Sequence, residues 1–98
     1  MIEFPELHSG ALDAAGLRAL VADLEACAER LQVIPKAAAR GYAAPANVPL
    51  RAASEGLLAG ELRGFQARYV HEGQEWWDTV LALGDAGFRI VRVAQGAA

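Results

Sequence analysis

Three groups of side chains in this 98-residue sequence could do chemistry: Arg68, Trp77 and Arg92; Asp78 with Tyr69; and His71 with Glu72 and Glu75. A guanidinium laid on an indole ring can hold an anion or stack against a planar base, because the cation sits on the negative face of the π-system. The same Arg68–Trp77 pair can equally be a cross-strand contact that stiffens a hairpin. A carboxylate such as Asp78 among apolar neighbours has its pKa raised, which is the condition a general acid or base needs. Its structural alternative is to accept hydrogen bonds from Tyr69 or a neighbouring backbone amide, or to be turned outward by a bulge. One acid without a paired acid, nucleophile or metal does not make an active site. His71, Glu72 and Glu75 could approach one ion, but two carboxylates and one imidazole at a hairpin tip fall short of a specific metal site.

Other chemistries find no support. Ser9 and Ser54 have no histidine at a recognisable spacing, and no glycine-rich phosphate loop is present. No catalytic residue, cofactor or metal is therefore assigned, and an enzyme is not expected. Arg68, Trp77 and Arg92 stand as the candidate ligand-binding set, for a small molecule or a nucleic acid.

Composition narrows the partners. A formal net charge of -3 disfavours nucleic acid or an anionic membrane as the main partner, since both are bound largely through lysine and arginine. The longest apolar run, Val80 to Leu83, is far short of the roughly 20 residues a membrane-spanning helix needs. The first residues lack the basic and apolar regions of a secretory signal, so a cytoplasmic bacterial protein is expected. Cys27 is the only cysteine and can form no internal disulfide; it is expected to be a small buried hydrophobe. At 98 residues, 54% of them hydrophobic, one domain spanning residues 1–98 with a single core is expected.

The elements that must position these groups follow from periodicity. Leu17, Leu20, Val21, Leu24, Ala28 and Leu31 recur at helical spacing with Cys27 on the same stripe, while Arg18, Asp23, Glu25, Glu29 and Arg30 fall opposite. With Asp13 as N-cap and Pro35 beyond its end, the spacing predicts a helix over about 14–32. An irregular stretch over 33–48 and a short helix over about 49–59, closed by Gly60, come next. From Glu61 the period becomes alternating, giving strands over about 62–70, 75–83 and 88–94 with a frayed tail at 95–98. The fold class is thus α+β: an N-terminal amphipathic helix and a second short helix on a three-stranded antiparallel meander. It becomes four-stranded if residues 2–4 add an edge strand.

Register decides the faces. A two-residue Glu72-Gly73 turn pairs His71 with Gln74, Tyr69 with Trp76, Ala67 with Asp78 and Phe65 with Val80. That puts Trp76 on the helix-covered face and Trp77 on the other. A four-residue turn over Gly84–Gly87 pairs Leu83 with Phe88 and Val80 with Val91, which places Val91 and Val93 under the helix. Leu81, Leu83, Phe88 and Ile90 then gather on the uncovered face, too apolar for an ordinary wet surface. Those four are the expected interface, and a twofold homodimer is the simplest way to cover them. The expectation is a non-enzymatic module that binds itself or another protein, with small-ligand or nucleic-acid binding through Arg68, Trp77 and Arg92 as the alternative.

Overall fold

The computed structural model describes residues 7–37 and 48–97. The elements run β1 (Leu7–Leu12), α1 (Ala14–Cys27), β2 (Glu29–Ala37), α2 (Leu50–Leu58), β3 (Leu62–His71), β4 (Gln74–Ala82) and β5 (Phe88–Ala97), with a 3-10 turn at Gly84–Ala86. The architecture is α+β: among the described residues, two helices and a five-stranded antiparallel sheet in the order β1-β5-β4-β3-β2, with β1 and β2 as its edge strands and no closure into a barrel. Four successive antiparallel pairings leave β1 and β2 running the same way at opposite edges. The link between them must cross the whole sheet. Five strands place their edges about 19 Å apart, and α1, with its 14 residues, is about 21 Å long.

The helix is shorter than its spacing suggests, and the sheet is wider. Asp13 caps α1, its carboxylate accepting from Gly16 N at 2.7 Å. Leu17, Val21 and Leu24 are its buried face. It stops at Cys27, not near residue 32, and the chain turns directly into β2. Leu31 and Val33 therefore reach the core from a strand. Residues 33–37 are paired rather than irregular, and Pro35 stands within β2 because an edge strand tolerates a missing N–H. Cys27 is exposed, contrary to expectation, because the last turn of α1 has left the core. At the other end, residues 95–97 are not a frayed tail but the end of β5, with Gly96 paired to Glu75 and Ala97 to Gln74. The expected edge strand at residues 2–4 lies outside the described residues; the edge beside β5 is β1.

Both helices lie on one face of the sheet. Phe65, Ala67, Tyr69, Trp76, Val80 and Ile90 meet Leu17, Val21, Leu24, Leu50, Ala53 and Leu57 in one core cluster, with Val33 joining from β2. The first hairpin has the register that the Glu72-Gly73 turn dictates, Tyr69 opposite Trp76 and Ala67 opposite Asp78. Both turn residues have positive φ, 52° and 77°, as a type I′ turn requires.

The second hairpin corrects the expected register by one residue. Ala82 pairs with Phe88 and Val80 with Ile90, so five residues, Leu83 to Gly87, make the connection. Leu83 N donates to Gly87 O across its neck at 2.8 Å. One extra residue inverts the whole of β5. Phe88, Ile90 and Arg92 go beneath the helices, and Val91 and Val93 go to the opposite face.

Candidate functional site

The β3–β4 hairpin presents Gln66, Arg68 and Val70 opposite Thr79, Trp77 and Glu75 on the face away from the helices. Arg68 lies over the Trp77 ring, its guanidinium carbon 4.0 Å from the ring centre. Arg68 Nε donates to Gln66 Oε1 at 2.8 Å, and Gln66 Nε2 donates to Thr79 Oγ1 at 3.2 Å. Trp77 Nε1 donates to Glu75 Oε2 at 2.8 Å. Gln66, held by Thr79, and Glu75 thus fix the planes of the guanidinium and the indole from both ends.

Beside this stack runs a groove of about 380 Å³ lined by Arg30, Gln32, Arg68, Val70, Glu75 and Trp77. Arg30 reaches it from a β-bulge, where the pairing of β2 with β3 slips between Glu29 and Gln32. Its φ is 53°, a left-handed conformation that costs a residue with a Cβ about 1–3 kcal/mol. Glu75 is the one carboxylate among the lining residues, and it is engaged by the Trp77 indole.

Arg92 is not part of this face. It lies on the helix side of β5 opposite Asp78, and both are buried, 7% and 0% exposed. Arg92 Nε donates to Asp78 Oδ1 at 2.9 Å and Nη2 to Oδ2 at 2.8 Å, a two-pronged ion pair. Tyr69 donates its hydroxyl to the same Oδ2 at 2.9 Å. Burial first, and the Asp78 charge second, push the Tyr69 phenol well above its ordinary value. Burial opposes the charge on Arg92, but the hydrogen bonds and charge of Asp78 outweigh it and hold the guanidinium above its ordinary value. Every charge in this cluster has an opposite partner within hydrogen-bond reach, so the arrangement ties β3, β4 and β5 together under the helices.

The expected interface divides in the same way. Ile90 is 4% exposed and Phe88 is half-buried against the core, so both lie on the helix side of the sheet and not on its open face. Leu83, 45% exposed, is in the connection before β5, and only Leu81 remains on the open face of the sheet. In place of that patch the open face carries half-buried Ile34, Val70, Trp77, Leu81, Val91 and Val93. Arg30, Gln32, Val91 and Val93 are the residues that sequence reasoning missed here. The signal for the last two was Asp78 itself: an acid on an apolar face needs a cation, and Arg92 reaches it only if β5 shifts by one residue.

Around the first turn, His71 Nε2 is 3.7 Å from Glu72 Oε1, and His71 Nδ1 is 3.4 Å from the Cys27 carbonyl oxygen. Glu75 is drawn away to Trp77, so the three do not converge on one point. No cluster of three metal-ligating side chains occurs among the described residues, and no helix among them is long and apolar enough to cross a membrane. Comparison with protein-family models, curated proteins and solved structures finds no match.

Proposed function

We propose that this chain is a protein-interaction module, without catalytic activity of its own, that binds another polypeptide through the open face of its sheet. One observation carries the reading: both helices pack on the same side of a five-stranded sheet, leaving Ile34, Val70, Trp77, Leu81, Val91 and Val93 on a face that no described element covers. Apolar side chains collected on an uncovered sheet face are an ordinary substrate of protein–protein recognition, where an aromatic anchor and an arginine supply much of the binding energy. Trp77 and Arg68 are that pair here. The redistribution of Phe88 and Ile90 into the core removes half of the patch on which a homodimer was expected, so a different polypeptide is the favoured occupant.

Selection from a library of displayed random peptides on the immobilised protein tests this. Enriched peptides should bind the wild type, lose binding to Val91→Glu, and keep it for Arg18→Glu on the exposed side of α1. Failure to enrich any peptide, or binding that survives Val91→Glu and is lost with Arg18→Glu, would overturn the assignment of this face.

A further inference from the structure

We infer that the groove beside Arg68 and Trp77 seats carboxylate side chains of an acidic segment in the partner polypeptide; this rests on the reading of the open face as a docking surface. Two guanidiniums line that groove, and neither has a carboxylate partner among the described residues. Arg68 spends its Nε on Gln66 and lies flat on Trp77, and neither of its terminal amino nitrogens has a hydrogen-bonding partner among those residues. Arg30 makes no ion pair there at all, yet the backbone holds it at φ 53° in a bulge, where glycine would sit without strain. A bulge re-aims a side chain, and strain retained at a lining residue points to use of that side chain. Planar guanidiniums match the two oxygens of a carboxylate, and Val70 and Trp77 give an apolar floor that shields such a pair from water.

Charge placement selects among the possible occupants. Among the described residues the open face bears Arg30, Lys36, Arg68 and Arg89 against Glu29 and Glu75, whereas the two helices and their cap bear Asp13, Asp23, Glu25 and Glu55 against Arg18 and Arg51. The chain's net negative charge is therefore kept off this surface. A second copy packed face to face would bring the cations of both sheets together with few anions between them. A nucleic acid would want the Trp77 ring face for base stacking, and Arg68 already lies on it. An acidic peptide needs neither.

The test uses the full chain and a short soluble peptide of valine, serine and several glutamates, compared with its counterpart carrying glutamine at each glutamate. Binding is read from the Trp77 indole N–H resonance. The glutamate peptide should bind about tenfold tighter, and the advantage should vanish at high salt. Arg30→Gly and Arg68→Gln should each erase most of it. Arg30→Gly should do so without lowering the thermal midpoint, which a merely structural role for Arg30 would not allow. Equal affinity of the two peptides would overturn the inference while leaving the docking surface standing. Failure of both to bind would also overturn it, as would tighter binding of a single-stranded oligonucleotide. So would a dimer by light scattering that Val91→Glu dissociates.

Discussion

A carboxylate with no exposed surface needs cations and donors in place of its water, and Asp78 has both in Arg92 and Tyr69. Removing one side of such a pair leaves the other buried and uncompensated, so Asp78→Ala should cost about 3–5 kcal/mol in a denaturant titration. Tyr69→Phe, which leaves the ion pair intact, should cost about 1–3 kcal/mol. The two variants also separate in alkali. The unfolded chain releases the Tyr69 proton near about pH 10, whereas the folded chain holds it to higher pH. Stability from this group is therefore intact below that pH and falls as pH rises beyond it. Tyr69→Phe should abolish that part of the alkaline decline, and Asp78→Ala, which keeps the burial of the phenol but removes the charge beside it, should only weaken it. The two-residue turn alone put Tyr69 and Asp78 on one face, with Tyr69 as one of the donors expected for the carboxylate. The role of Arg92 was not, because it depends on the length of a different turn.

At the scale of elements, the first hairpin was readable because Glu72-Gly73 admits one tight geometry, and both tryptophans fell on the faces that alternation assigns, with Trp76 buried at 5% exposure. The second connection was not, because four or five residues close a Gly84–Gly87 turn almost equally well, and the difference lies in a 3-10 turn. The overextended helix has a similar cause. Leu31 continues the spacing of Leu17, Leu24 and Ala28, but Leu31, Val33 and Pro35 also alternate, and pairing with β3 decides in favour of the strand. β1, with Ser9 and Gly10 in its six residues, carries no strand signal of its own and is defined by β5. Two substitutions test the elements. Leu24→Ala in α1 should cost about 2–5 kcal/mol, against about 0.5 for the exposed Glu25→Ala, whose one visible loss is the surface ion pair to Arg51. Gly64→Ala should cost about 1–3 kcal/mol despite adding one methyl, because the new Cβ would run into the Val80 carbonyl oxygen and the Leu81 side chain within the β3–β4 ladder. A denaturation midpoint for Gly64→Ala equal to the wild type would place that ladder wrongly.

For the whole molecule, the α+β class and the split between a covered and an uncovered sheet face follow from amphipathic periodicity, which says that a surplus of apolar strand residues must face something. Which residues belong to the uncovered face depends on long-range pairing, and there one residue of register moved Phe88 and Ile90 inward and Val91 and Val93 outward. The proposed function requires that outward face to be the working surface. Its most direct test is methyl-resolved NMR of the isoleucine, leucine and valine side chains, recorded while the glutamate-bearing peptide is added. Shifts should appear at Ile34, Val70, Leu81, Val91 and Val93, and be absent at Leu17, Val21, Leu57 and Ile90. Shifts confined to the helix-side methyls, with Val91 and Val93 unmoved, would contradict it.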